Sequence, residues 1–291
     1  MSDPLPSPVF ASPSRALPRG ACDTHAHVFG PYDTFPLADP RPYTPAPAPR
    51  DHHLAMLDQV GFDRGVLVHG SAHGWDHRAM LDAIAHAPDR LRGIGTVPGD
   101  TTFDELKKLH AGGVRGLRFT DVAGPTAAQQ FDGRVGFDAL HRLAPLMRQL
   151  GWHAVIWANA ATLAEHASSL RAWGLPLVID HMGYFDVAAG VAAPGFQTVR
   201  QLVEDGSAWV KLTVFRNSKE PGTHEDVQPF HEALLRANPE RLLWGSDWPY
   251  LGMTTYRPTP AALLDLLDRW TGSDDLLHRI LVTNPASLYG F

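Results

Sequence analysis

The sequence predicts an α/β fold, a (β/α)8 TIM barrel forming a single domain behind a proline-rich N-terminal extension. Three observations predict it. The first is a series of eight short apolar runs, Ala21–Val28, Arg64–His69, Leu91–Val97, Val114–Phe119, Trp152–Ala158, Leu175–Asp180, Ala208–Val214 and Leu242–Ser246. Several are nearly continuous rather than alternating, as strands buried on both faces of a parallel sheet require. The second is the helical rhythm between them. The third is the length of 291 residues, which suits eight strand–helix units of roughly 30–40 residues each. The rival, an open doubly wound sheet, wants a glycine-rich phosphate loop after an early strand, and the chain carries no GxGxxG.

The elements follow in chain order. Residues 1–19 hold five prolines and read as a flexible extended tail, leaving 20–291 as the barrel domain. Twelve of the 25 prolines fall within residues 1–50. The segment 29–50 therefore reads as a long irregular loop, because proline fixes φ and donates no backbone hydrogen bond. Long loops in compact domains are often functional, and this one, with Tyr32 and Tyr43, is a candidate lid. Residues 52–61 and 103–113 show an apolar repeat of three to four and end in glycine, which suits a left-handed helix cap. Residues 137–151 and 261–270 keep the same rhythm for most of their length.

Composition narrows the function classes. With 25 Lys+Arg against 31 Asp+Glu the net charge is −6, which disfavours a nucleic-acid or anionic-membrane partner. No run of about 18 apolar residues would cross a bilayer, and the first twenty residues lack the apolar stretch of a secretory signal. The single cysteine, Cys22, makes a reducing, cytoplasmic setting the expectation. A monomer and a homo-oligomer both remain open.

Three motifs carry candidate chemistry. In Asp23-Thr24-His25-Ala26-His27 the two histidines alternate by two, so both side chains fall on one side of a strand and can converge on one ligand. They end the first predicted strand, at the face where barrel active sites form. Val178-Ile179-Asp180-His181-Met182-Gly183 brings His181 to the mouth, and Gly245-Ser246-Asp247-Trp248-Pro249 does the same for Asp247 after the last strand. Three imidazoles and a carboxylate on three strand ends suit a divalent metal or a metal-free acid–base site. Arg118 and Arg216, near two further strand ends, can grip a carboxylate bidentately or serve as surface ion pairs. Ser71 and His73, after the second strand, read equally as substrate hydrogen-bonders and as turn residues. Further histidines in helices and loops, among them His53, His77 and His231, read as solvated or structural.

With these residues in view, the chain resembles the amidohydrolase superfamily, and most closely its 2-pyrone-4,6-dicarboxylate lactonase-like branch. The resemblance spans roughly residues 20–291 through DTHAHVFGP, FPLADPRPYTP, HGSAHGWDHRAMLDAI, GVRGLRF, GWHAVIW, VIDHMG, VKLTVFRNS, ERLLWGSDWP and TNPASLYGF, in that order. It implies a barrel that opens a lactone ring. It implies a catalytic group of His25, His27, His181 and Asp247, carboxylate-binding arginines at Arg118 and Arg216, a substrate-contacting Tyr43, and Ser71 in the matching second-strand loop. The sequence also departs from that branch. Tyr184 stands where an arginine is usual, Trp157 where a tyrosine is usual, and residues 120–124 lack a further arginine. Fewer cations imply a lactone with fewer negative charges than a dicarboxylate, since an unpaired buried carboxylate is costly.

The expected reaction is hydrolysis of a small carboxylated lactone from aromatic or sugar-acid catabolism. Asp247 activates water, the histidines polarise the carbonyl, and Tyr43, Trp157, Tyr184 and Trp248 form an apolar wall. Lactone isomerisation and metal-dependent decarboxylation on the same barrel are the alternatives. A mononuclear metal member of the superfamily would also carry a histidine at the end of strand five. Here Ala158 and Asn159 stand there, and His153 lies at the strand's other end. The expectation is therefore no cofactor, the alternative being one divalent ion such as zinc on His25, His27, His181 and Asp247.

Overall fold

The structure, a computed structural model, describes residues 8–121 and 131–291. Eight parallel strands form one sheet in the order β1-β2-β3-β4-β5-β6-β7-β8: Cys22–Ala26, Arg64–Val68, Leu91–Gly95, Val114–Asp121, His153–Ala158, Leu177–Ile179, Ala208–Lys211 and Leu242–Leu243. A bridge between Ala26 and Trp248 brings the last segment back onto the first strand. The bonds Thr24 N to Trp244 O (3.0 Å), Asp247 N to His25 O (2.7 Å) and His27 N to Trp248 O (2.8 Å) close that seam. This is the (β/α)8 barrel that the apolar runs predict.

Most strands are shorter than those runs, several of them at the mouth, whereas β4 runs two residues further, to Asp121. Strand β6 stops at Ile179 and β8 at Leu243. Beyond β6, residues Asp180–Gly183 turn tightly, with His181 and Met182 at positive φ of 52° and 58°. Asp247, after β8, also has a positive φ, 53°. Leaving the ladder early re-aims these side chains towards the barrel axis.

Helices fill the outer layer: α1 Arg50–Val60, α2 Arg78–His86, α3 Phe103–Ala111, α4 Leu140–Gln149, α5 Ala160–Ala172, α6 Pro194–Glu204, α7 Gln228–Ala237, α8 Pro260–Thr271, α9 Asp274–His278 and α10 Asn284–Tyr289. Their ends follow local chemistry. Gly61 caps α1 at φ 103°, its N–H donating to Leu57 O. Thr102 and Glu105 form a reciprocal capping box on α3. Asn159 caps α5 by accepting from Thr162 N, so the residue after strand five is committed to a helix start. The extension is tied down from residue 10: Phe10 N donates to Gln59 Oε1 (2.8 Å), Ser14 N to Asp265 Oδ1 (2.7 Å), and Arg15 pairs with Asp268 and Asp274. Residues 1–7 of the predicted tail, and 122–124 of the stretch lacking an arginine, lie outside the described residues.

Strand alternation sorts the interior. Cys22, Val66, Val68, Ile94, Val155, Val178 and Leu243 form a small apolar core plugged by Tyr289, while Leu67, Leu117, Ile156, Leu177 and Val210 face the helices. One step further along the inward register come Arg118 on β4, Trp157 on β5, Asp180 after β6 and Lys211 on β7. The same period that builds the apolar plug thus delivers charged groups to the layer above it.

Candidate active site

His25, His27, His181 and Asp247 meet in that layer, and all four are buried. His25 Nε2 lies 3.3 Å from His27 Nε2 and 3.5 Å from Asp247 Oδ1. His27 Nε2 lies 3.2 Å from the same carboxylate oxygen, and His181 Nδ1 is 3.9 Å from Asp247 Oδ2. Gly245 makes the approach possible: a Cβ there would sit 2.6 Å from His25 Cβ. The left-handed backbone at His181 and Asp247 costs on the order of 1–3 kcal/mol each. Asn217 Nδ2 donates to His181 O (2.9 Å) and Asp247 N to His25 O (2.7 Å), which pins both turns.

Each imidazole is oriented from behind. Val68 O, which can only accept, takes the proton of His27 Nδ1 at 2.8 Å, leaving a lone pair on His27 Nε2 when the ring is neutral. His25 Nδ1 faces Lys211 Nζ at 3.1 Å. Asp23, fully buried, accepts from His25 N (3.1 Å), Ser246 N (2.8 Å) and Ser246 Oγ, binding the first strand to the last. Burial nevertheless pushes Asp23 up to about 6.

The electrostatics separate the groups. Burial lowers His25 well below its ordinary value and His181 to about 4, so both are neutral near pH 7. Burial works to raise Asp247, but Arg216, His181, His27 and His25 outweigh it and hold the carboxyl well below the usual range. At neutral pH the carboxylate of Asp247 is ionised, and the rings of His25 and His181 beside it are neutral.

The flanking residues divide. Arg118 is buried, lies 5.1 Å over the Trp157 ring and donates from Nη2 to His69 O at 3.3 Å. Tyr184 packs at 5.2 Å from His181 and 6.4 Å from Trp157. Tyr43 reaches the side chain of Ser71, near Arg118. Tyr184 thus touches the cluster, and Trp157, Arg118, Ser71 and Tyr43 follow it in a connected row. Arg216 goes to the cluster itself: its Nε donates to Asp247 Oδ2 (2.5 Å) and Nη1 to Leu251 O (2.8 Å). Two of its three nitrogens are thus engaged before any substrate arrives. His73 turns away, stacking on Phe29 at 5.6 Å and meeting Pro36 O at 3.1 Å. Trp248 packs against His53 of α1 at 5.8 Å, outside the cluster.

Sequence reasoning missed Asp180, Lys211, Asp23 and Ser246. A signal existed for two of them. Lys211 interrupts an apolar strand buried on both faces, and Asp180 directly precedes a mouth histidine. A charge in such a run has no solvent to reach and must have an ionic partner.

The donor set fits a single divalent ion. Ligand atoms about 2.0–2.1 Å from a tetrahedral ion stand about 3.3–3.4 Å apart. The triangle of His25 Nε2, His27 Nε2 and Asp247 Oδ1 has edges of 3.3, 3.5 and 3.2 Å. Among the described residues, His25, His27 and Asp247, or His25, Asp180 and His181, are the groupings close enough to share one.

A closed parallel barrel with an HxH-initiated site at its C-terminal mouth defines an amidohydrolase, and the chain belongs to that family, whose profile matches residues 22–291. Among its relatives, a 4-sulfomuconolactone hydrolase of Rhizobium radiobacter is 38% identical, over 95% of this chain and 92% of the relative. A 2-pyrone-4,6-dicarboxylate hydrolase of Comamonas testosteroni is 34% identical, over 96% and 94%. A ligand-free crystal structure of an Agrobacterium tumefaciens protein superposes with a TM-score of 0.84 at 26% identity, over 96% of this chain and 99% of that one. Among the described residues no helix is long and apolar enough to cross a membrane.

Proposed function

We propose that the protein hydrolyses a small lactone bearing one anionic group. The observation that carries this reading is the meeting of one ionised carboxylate, Asp247, with the imidazoles of His25, His27 and His181, beside the buried cation of Arg118. The names of the relatives, both lactone hydrolases, support it.

In this mechanism Arg118, with Tyr43 and Ser71, takes the substrate's anionic group, while Trp157 and Tyr184 face its ring. The lactone carbonyl lies against the histidines. Asp247 accepts a proton from water as the water oxygen attacks that carbonyl. The histidines stabilise the oxyanion of the tetrahedral intermediate. The C–O bond to the ring oxygen then breaks, and Asp247 returns the proton to it. The product is the open hydroxy acid.

The cycle needs no cofactor in this reading. The edge lengths of the His25–His27–Asp247 triangle favour a second reading, in which these residues hold one divalent ion. Such an ion, when bound, supplies Lewis acidity towards the carbonyl and acidifies water. A cytoplasmic setting, in line with the one cysteine, belongs to the proposal.

The test is a panel of carboxylated, sulfonated and uncharged lactones assayed for acid release, with product masses. Hydrolysis adds the mass of water. An unchanged mass indicates isomerisation, and loss of carbon dioxide indicates decarboxylation; either would replace the hydrolytic step.

A further inference from the structure

Beside the cluster, in the same layer of the barrel, lies a buried ion pair to which the proposed reaction assigns no step. Lys211 Nζ and Asp180 Oδ1 are 2.9 Å apart, and both side chains are fully buried. Together with His25 Nδ1 they form a triangle, with Nδ1 3.1 Å from Nζ and 3.2 Å from Oδ1.

We infer that Lys211 is a positioning residue that fixes His25 in its Nε2–H tautomer, so that His25 presents a hydrogen-bond donor to the reaction centre. The argument is one of donors and acceptors. Val68 O obliges His27 Nδ1 to carry a proton, so a His27 ring that holds one proton offers only a lone pair at Nε2. The contact between His25 Nε2 and His27 Nε2 at 3.3 Å then needs a proton on His25 Nε2. That leaves His25 Nδ1 bare, and it must accept. Lys211, an ammonium with three donors and no acceptor, stands in hydrogen-bonding geometry to it.

The opposite assignment, Nδ1–H to Asp180, sets a donor against the lysine. Asp180 instead neutralises Lys211, which would otherwise be an uncompensated charge in the barrel interior. Catalytically, a proton on His25 Nε2 can turn from His27 to the developing oxyanion without a change in the charge of the ring. The same proton occupies the lone pair that a metal ion would require, so Lys211 also sets the chain's preference between the two readings above. The catalytic part of the inference rests on the proposed hydrolysis; the tautomer does not.

The test reads the tautomer on resting protein without substrate. Protein labelled with 15N-histidine, purified as it is and carrying whatever ion it holds, gives long-range 1H–15N correlations in which a His25→Gln variant identifies the His25 signals. In the wild type, Nε2 is expected to be protonated and Nδ1 bare. Asp180→Asn, which keeps the lysine donor, retains that pattern. Lys211→Met, which removes it, moves the proton to Nδ1, and kcat falls about 100-fold, the scale of a lost oxyanion donor, while KM changes little. A bare or metal-bound Nε2 in the wild type overturns the inference, as does an unchanged tautomer in folded Lys211→Met. Should Lys211→Met not fold, the wild type and Asp180→Asn decide it alone. If the tautomer is as stated but no lactone is turned over, the assignment of function fails and the positioning role stands.

Discussion

Arg216 and Asp247 share a short hydrogen bond, Nε to Oδ2, with the arginine's Nη1 held by Leu251 O. The carboxylate is thereby divided: one oxygen belongs to the arginine, the other faces His25 and His27. The arginine's charge keeps Asp247 ionised but also makes it a weak base. Arg216→Gln is therefore expected to raise the Asp247 pKa. The acidic limb of the kcat/KM profile then moves to higher pH by about one to three units. A profile with the limb in its original place would dissociate the two residues.

Asp247→Asn removes the proton acceptor and keeps the shape. Turnover is expected to fall by about 100- to 10,000-fold, with substrate still bound, as read by equilibrium titration. Substantial residual turnover would remove the general-base role.

Arg118 lies over Trp157 with its charge in the buried wall of the site. Arg118→Met is expected to raise KM for an anionic lactone by about 10- to 100-fold, the scale of a lost charged hydrogen bond. An uncharged lactone of the same ring should be nearly unaffected. Equal losses for both substrates would mean that Arg118 supports the fold rather than the anion.

Gly245 marks the closest approach of the last strand to the first. With a Cβ at 2.6 Å from that of His25, Gly245→Ala must displace one of the two segments. The expected cost is about 100-fold in kcat/KM with the far-ultraviolet circular dichroism retained. Wild-type kinetics would show that the seam tolerates movement.

Buried neutral histidines predict the acid behaviour. Burial holds His53 and His153 to about 3, and His181 and His231 to about 4. In the unfolded chain they titrate near 6.5. Below that pH the unfolded state binds more protons than the native one, so stability is fully present above about 6.5 and is lost as the pH falls towards 4. Tm, followed by calorimetry at constant ionic strength, should drop steadily across that window. A flat or rising Tm would contradict the burial of these rings.

The divided legibility of the site has a physical basis. The strands and the glycine-stopped helices could be read from the sequence because burial on both faces and helical period leave direct marks in it. Gly61 is a left-handed cap, as its position after an apolar repeat suggests. His25, His27, His181 and Asp247 stood out because polar residues at the ends of apolar runs are conspicuous. The outcome for Trp248 was hidden: a tryptophan beside an aspartate at the barrel mouth looks like a wall residue, but the turn at Asp247 sends it to His53. Arg216 was legible as a cation near the mouth but not as the partner of Asp247, because that bond joins residues from two strand ends. Lys211 and Asp180 were overlooked because strand periodicity scores a charged residue as noise, although deep in a barrel it demands a counter-charge.

The seam where the barrel closes has one more consequence. Two members of the cluster, His25 and His27, lie on or just past the first barrel strand, and Asp247 follows the last. A partly made chain can fold most of its strands and still possess no reactive centre. The cluster is complete only when the last strand docks on the first, so closure of the barrel and assembly of the site are one event.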